Sequence, residues 1–281
     1  MRGLAVFSLT SLAAVAIGCG VAASSGVPLG VWVRNPAAWL AGALLAVLIP
    51  VMAGRRTALG FLIAAPLGLT ASFLGAGQLG VHRWLDVGPL HMNAGQILLP
   101  PAIVALTLPT LGHVRAIVSA AILGLLIAQP DASQATAFGG ALFGVIGTSQ
   151  LSRARRVAAM AAVGLAMAAA WLRPDPLQPV PEVEEIMRLA WTLTPVAAVA
   201  AWTALLAATC SFALFSTAGA RGGPRALGAY ALLSALIPLV APFPVPLVGM
   251  AMSPVLGLWL GVGMLAAQAR FSANSPAASV G

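Results

Sequence analysis

The chain has no lysine, only six acidic residues and only two cysteines among its 281 positions. Each scarcity excludes something. Just 7% of the residues are charged, against roughly 25% in a soluble domain, so the chain cannot cover itself with a surface that water solvates. Cys19 and Cys210 both fall inside apolar runs. They read as small packing residues, not as a disulfide or a thiolate metal site. Any chemistry that needs a carboxylate must draw on Asp86, Asp131, Asp175, Glu182, Glu184 or Glu185, the whole acidic inventory. His82 and His91 flank one loop, but two histidines without a third ligand make a poor metal site, and none is expected.

What is abundant is apolar surface. Hydrophobic residues make up 60% of the chain, with a mean hydropathy of +0.99. Lipid admits only helices or closed barrels across its core, and apolar runs of about 20 residues suit helices rather than barrel strands. Ten runs are expected to span: Leu4–Ala23, Pro36–Met52, Ala58–Leu74, Ile97–Leu111, Ala116–Ala128, Ser133–Gly147, Val157–Leu172, Leu189–Cys210, Ala226–Val240 and Val245–Ala267. The fifth and sixth are separated at Gln129-Pro130-Asp131, because those three residues together end a span. The expected fold class is therefore all-α, a polytopic integral membrane protein of about ten transmembrane helices. Residues 1–270 read as one transmembrane domain and 271–281, rich in Ser, Ala and Gly, as a disordered tail. Arg2 and the apolar run behind it, with small residues at Ala22-Ala23, share features with a signal peptide but are read as the first span.

The arginines orient the spans. With the N-terminus inside, Arg2, Arg55, Arg56, Arg115, Arg153, Arg155, Arg156, Arg221, Arg225 and Arg270 fall on the inner side, and Arg34, Arg83, Arg173 and Arg188 on the outer. An excess of inner arginine places both termini in the cytoplasm. All six acids then fall outside. The net charge of +8 follows from orientation and from contact with anionic membrane lipids; no nucleic-acid partner is expected, since no arginine cluster exceeds the three in 153–156.

Two outer loops carry the polar chemistry, residues 75–93 and 173–188. In the second, Glu182, Glu184 and Glu185 are the only clustered carboxylates. If Pro181 starts a short helix, Glu182 and Glu185 share a face and Glu184 can pair with Arg188. The plain alternative is an interfacial helix with a solvated acidic face. In the first loop, Arg83 beside Trp84 suits a phosphate or a lipid headgroup, or else a Trp anchored at the interface with a snorkelling Arg. Asp86 is spaced to pair with Arg83. Asp131 sits between two apolar runs, where an unpaired carboxylate at mid-membrane depth costs roughly 2.5–3.5 kcal/mol. It calls for an Arg from another helix, or for service as the N-cap of the sixth helix.

Gly80-Val81-His82-Arg83-Trp84-Leu85-Asp86-Val87-Gly88 resembles the G-x-x-R-W-L-D-L-G segment of the SEDS family (shape, elongation, division and sporulation), the FtsW/RodA/SpoVE proteins. Gln129-Pro130-Asp131 resembles that family's Q-P-D-x-G motif, and Leu236-Ile237-Pro238 through Pro242-Phe243-Pro244 its late L-P-x-x-G-x-P-L-P segment, in the same order and on a matching ten-helix topology. The resemblance spans nearly the whole chain. It implies a peptidoglycan glycosyltransferase of the bacterial cytoplasmic (inner) membrane, acting in cell division or cell shape. Such a protein polymerises an undecaprenyl-linked glycan precursor, lipid II, usually with a class B penicillin-binding protein. Its essential carboxylate lies between the seventh and eighth helices. Here that loop is only about sixteen residues long. It keeps Asp175-Pro176-Leu177 and Pro181-Glu182 but lacks the Gly-rich middle, and Glu185, with Glu184 beside it, falls where the family has its catalytic aspartate. Gln96 and Leu99 stand where the family has Glu and Lys.

The expected site is thus Glu185 or Glu184 as catalytic base, with Arg83, Trp84, Asp86, Asp131 and Gln96 binding substrate. No cofactor is expected; a divalent cation is compatible with this chemistry but not indicated. A non-catalytic SEDS homologue acting as a scaffold or lipid-binding partner is the first alternative, favoured by the short loop. A small-solute transporter is the second, against which stands the lack of charge inside any span.

Overall fold

A computed structural model describes residues 2–51, 55–108, 111, 113–215 and 222–273. Its helices are α1 (Arg2–Ser24), α2 (Leu29–Trp32), α3 (Arg34–Val51), α4 (Arg55–Ala71), α5 (Ala94–Leu106), α6 (Val114–Ala128), α7 (Ala132–Gly147), α8 (Arg153–Trp171), α9 (Ile186–Leu193), α10 (Pro195–Cys210), α11 (Gly222–Leu236) and α12 (Met252–Ala273). Between α4 and α5, β1 (Trp84–Val87) and β2 (Leu90–Asn93) form an antiparallel hairpin, with Trp84 opposite Asn93 and Val87 opposite Leu90.

The outward faces are apolar. Leu9, Leu40, Leu44, Val47, Ile63, Leu67, Ile117, Val157, Leu165, Val196 and Val199 are all exposed, far more contiguous apolar surface than a water-soluble monomer shows. Among the described residues, six helices are long and apolar enough to cross a membrane. The protein is an all-α polytopic membrane protein. The apolar helices Ala94–Leu106 and Val114–Ala128 are shorter, so the number of crossings is not fixed at ten by helix length. The last helix runs to Ala273, and the rest of the expected tail lies outside the described residues.

The break at Gln129-Pro130-Asp131 is present, with α6 ending at Ala128 and α7 starting at Ala132. Two expected spans differ. Leu189–Cys210 is two helices, because Thr194 is extended (φ −159°, ψ 146°) ahead of Pro195, as the residue before a proline tends to be. Its side chain caps α10 by accepting from the Ala197 N–H at 3.0 Å. Val245–Ala267 begins as non-helical backbone, and α12 starts only at Met252, after the prolines at 242, 244 and 246.

At the centre α12 packs against α3 and α5, while α11 packs on α7, α1 on α10, and α4 on α5 and α6. Val255, Leu258, Trp259 and Val262 of α12 are buried, and Trp259 meets Phe7 and Trp39 edge-on with ring centroids 5.0 and 5.2 Å apart. The approach of α12 to α5 depends on Gly257. A Cβ there would lie 1.9 Å from the Gln96 carbonyl oxygen and 3.1 Å from the Ile97 Cα, backbone atoms that cannot turn aside. We expect Gly257→Ala to lower stability by about 1–3 kcal/mol, an overpacking cost, read by thermal unfolding in detergent. An unchanged unfolding temperature would show that the helices separate freely.

Candidate functional site

The site is assembled at one end of the helices, from the hairpin loop, the α6–α7 turn and the segment after α8. The hairpin loop is tied down first. Ser72 donates to the His82 carbonyl at 2.7 Å, and the Gln129 amide donates to Ser72 Oγ at 2.7 Å and to the Leu69 carbonyl at 2.9 Å. Ala94 N–H donates to the Arg83 carbonyl at 3.1 Å. On the far side, Asn93 N–H donates to Ser253 Oγ at 2.9 Å, and Asn93 Oδ1 caps α5 by accepting from Gln96 N–H at 2.9 Å.

This anchoring aims the buried Arg83 side chain at the α6–α7 turn. Its Nε donates to the Gln129 carbonyl at 3.2 Å, and its Nη2 donates to the Pro130 carbonyl and, at 2.7 Å, to Asp175 Oδ2. Arg83 Nε is also 3.7 Å from Asp131 Oδ2. A buried charge must be paired and hydrogen-bonded, and this guanidinium meets both demands with groups 46 to 92 positions away in the sequence. Asp131 fills both roles open in the sequence. Its Oδ1 caps α7 by accepting from Gln134 N–H at 3.1 Å and from Ser133 Oγ at 3.0 Å, while Oδ2 faces Arg83.

The third part is the turn at 180–185. Glu184 N–H donates to the Val180 carbonyl and Glu185 N–H to that of Pro181. The turn is pinned to the segment before α12: Val245 N–H donates to Val183 O at 3.1 Å, and Met250 N–H to Glu182 O at 2.8 Å. Asn35 Nδ2, from α3, donates to Gly249 O at 2.7 Å. Gly249 is required at this junction, because a Cβ there would lie 2.4 Å from Val183 O. The late proline-rich segment therefore serves as the floor that holds the glutamate turn.

Glu184 accepts from Val180 N–H at 2.7 Å. Burial pushes its carboxyl up to about 7, and the neighbouring Glu182 charge adds to the rise; the Val180 hydrogen bond and Arg83 pull the other way without cancelling it. A carboxyl that titrates there can take a proton from a substrate hydroxyl near neutrality.

Glu184, Arg83, Trp84, Gln96, Asp131 and Asp175 all line one cavity of about 490 Å³, which also reaches Arg34, His91 and Ser253. Five of the seven residues singled out in the sequence share it. The other two lie elsewhere. Asp86 does not pair with Arg83; it sits exposed further along the hairpin, on the same strand face as Trp84, and meets His91 Nδ1 at 2.5 Å. Trp84 stacks on that His91 at 5.0 Å. Glu185 precedes α9 and pairs with Arg188, so the expected Glu184–Arg188 pair does not form. Glu185 lines a neighbouring cavity of about 590 Å³ with Trp191 and Trp202, and Glu184 lies on the border between the two. Asp175 and Arg34 are site residues that sequence reasoning did not select. The Asp175-Pro176-Leu177 match was the signal for the first; nothing in the sequence marked the second.

No protein-family model matches the sequence, and no curated protein matches it. The fold, however, has solved counterparts. The rod shape determining protein RodA of Thermus thermophilus, in a mutant with one aspartate replaced by alanine, aligns with 94% of this chain and 96% of its own at 20% identity and a TM-score of 0.66. Without that mutation RodA aligns with 94% and 95% at 19% identity and a TM-score of 0.61. A structure concerned with how a peptidoglycan synthase complex coordinates polymerization and crosslinking contains a chain that aligns with 96% of this one and 98% of its own, at 20% identity and a TM-score of 0.68. The chain has the RodA fold over nearly its whole length, and the resemblance to the SEDS proteins holds at the level of fold.

Proposed function

We propose that this chain is a SEDS-type protein of peptidoglycan synthesis in the bacterial cytoplasmic membrane, and that its 490 Å³ cavity joins undecaprenyl-linked glycan units on the outer face. The observation that carries this reading is Glu184: a carboxyl raised to about 7, on the wall of a cavity whose other walls present Arg83, Arg34 and Trp84. Glycosyl transfer forms a bond between an acceptor hydroxyl oxygen and the anomeric carbon of the donor. The bond from that carbon to the undecaprenyl pyrophosphate breaks, and the pyrophosphate leaves with the electron pair. The hydroxyl proton passes to the Glu184 carboxylate. Cations near the departing phosphates lower the barrier by stabilising charge as it develops. Arg34, exposed and without an ion pair among the described residues, is free for that task, whereas Arg83 is committed to holding Asp131 and Asp175 in place.

A class B penicillin-binding protein is the proposed partner. The likeness to a chain of a peptidoglycan synthase complex supports it. The test is lipid II polymerisation by the purified protein with that partner. Glycan chains should form, and Glu185→Gln should retain most of the rate, since Glu185 faces Arg188 and the second cavity. Loss of activity in Glu185→Gln together with full activity in Glu184→Gln would reverse the assignment. Stable association with the partner but no polymer from wild type would favour the scaffold reading, to which the short 173–188 loop lends support.

A further inference from the structure

The opposite end of the helices holds a groove unrelated to the site above. It runs between α6, α7 and α8, encloses about 540 Å³, and is walled by Ala120, Leu123, Gly124, Ile127, Val145 and Ala166 among others. Its mouth carries His113, Arg115, Ser119 and Ser149. Arg156 closes one side of that mouth by donating to the carbonyls of Ser149 and Leu151.

Two features fix what the groove can hold. The first is length. From Arg115 to Ile127 the wall rises about 18 Å at 1.5 Å per residue, close to one leaflet of a hydrocarbon core roughly 30 Å thick. The second is charge. Arg115 forms no ion pair among the described residues, and Arg153, Arg155 and Arg156 stand in the first turn of α8, just after the Ser149 and Leu151 that line the groove. All six acids of the protein lie in loops at the other end of these helices, in the hairpin, the α6–α7 turn and the segment after α8. Among the described residues no carboxylate lies at this end, so an anion from outside the chain meets these arginines without competition from an acidic side chain.

We propose that this groove binds one phospholipid with an anionic headgroup, an acyl chain lying along α6 and the phosphate at Arg115 and His113. The lipid then fills the gap that separates α8 from α6 at this end. At the other end α8 is held by its own contacts, Trp171 Nε1 donating to Thr136 Oγ1 at 2.9 Å. The occupant therefore helps to set the position of the helix that leads into the Asp175 and Glu184 segment. The proposal does not depend on the function assigned to that segment.

The wall offers a variant that blocks the groove without disturbing the fold. A Cβ at Gly124 would meet nothing within 4 Å, and leucine is a better helix former than glycine. Native mass spectrometry of the full chain, with phosphatidylglycerol or phosphatidylcholine of identical acyl chains added, reads the result. Wild type should retain phosphatidylglycerol preferentially. Arg115→Gln should lower that retention about fivefold, the worth of one cation near an anionic lipid, and leave phosphatidylcholine unchanged. Gly124→Leu should remove most retention of either lipid while thermal unfolding stays at or above the wild-type temperature. Equal retention of the two lipids by wild type, or unchanged retention in Gly124→Leu, overturns the proposal. So does a dimer that Gly124→Leu dissociates, which would make the groove an interface between copies.

Discussion

Glu184→Gln is expected to reduce the rate of glycan polymerisation by about 10²–10⁴-fold, the usual contribution of a positioned general base. The amide keeps the shape of the side chain and its place beside Val180 but cannot accept the hydroxyl proton. Precursor binding should change little, because Arg83, Arg34 and Trp84 are untouched, so the loss should fall on kcat rather than KM. The variant should also fold well. In the wild type the Glu184 carboxyl titrates near 7 when folded, against an ordinary value of 4.5, so the folded state holds the proton more tightly than the unfolded chain. Stability therefore declines as pH rises between those two values and stays lower above them. Glutamine has no such penalty, and Glu184→Gln should unfold at or above the wild-type temperature at about pH 8. A less stable, inactive variant would mean that the side chain is structural. A stable, inactive one marks a group kept for function at a cost in stability.

The second large effect concerns Arg83. Arg83→Ala removes the only guanidinium seen near the buried Asp131 among the described residues, and strips partners from Asp175 and from the carbonyls of Gln129 and Pro130. Breaking a buried pair from one side costs about 3–5 kcal/mol, because the charge left behind has nothing to offset its burial. We expect a loss of that size in detergent unfolding, with loss of polymerisation because the 129–131 turn and the Asp175 segment are no longer held together. Arg83→Lys should recover only part of the stability, since an ammonium cannot bond both carbonyls and the carboxylate in the fixed geometry of the guanidinium. Asp175→Asn should cost much less, as its side chain is a quarter exposed. If Arg83→Ala and Asp175→Asn were equally mild, Arg83 would be a snorkelling arginine at the interface and not the clasp of the site.

Much of this arrangement was legible in the residues. The Gln129-Pro130-Asp131 break, the acids gathered in loops on one side and the Arg83–Trp84 pair all rest on strong local rules. A proline and a carboxylate end an apolar helix, and an acid at membrane depth needs a partner. Pairings across the fold were not legible. Asp175 reaches Arg83 from 92 positions away, and no spacing rule prefers it to Asp86, which is three residues from Arg83 and faces the wrong way. The reason is the hairpin. Val87-Gly88-Pro89-Leu90 turns the chain with Gly88 at φ 59°, and the resulting strand sends Trp84 and Asp86 to their own partners on His91. The different surroundings of Glu184 and Glu185 were likewise not legible, because they depend on the 180–185 turn docking on Val245 and Met250. Local charge spacing suggested a Glu184–Arg188 pair; the backbone at Glu185 instead starts α9 and gives that arginine to Glu185. The apolar stretch from Val245 read as the start of the last span, but with Pro246 in it the backbone is not helical before Met252, so this part of the floor of the site was hidden inside what read as a helix.

The most direct test of a carboxylate base at Glu184 is the pH dependence of lipid II polymerisation by the purified protein with the proposed class B penicillin-binding protein. The rate should climb about tenfold per pH unit below the Glu184 value of about 7 and level off above it, as expected for a base that must be ionised to act, with Glu184→Gln showing only a low, flat residue of activity. A wild-type rate that is level between about pH 5.5 and pH 8.5, or a Glu184→Gln variant that keeps the wild-type profile, would contradict glycan transfer at this carboxylate.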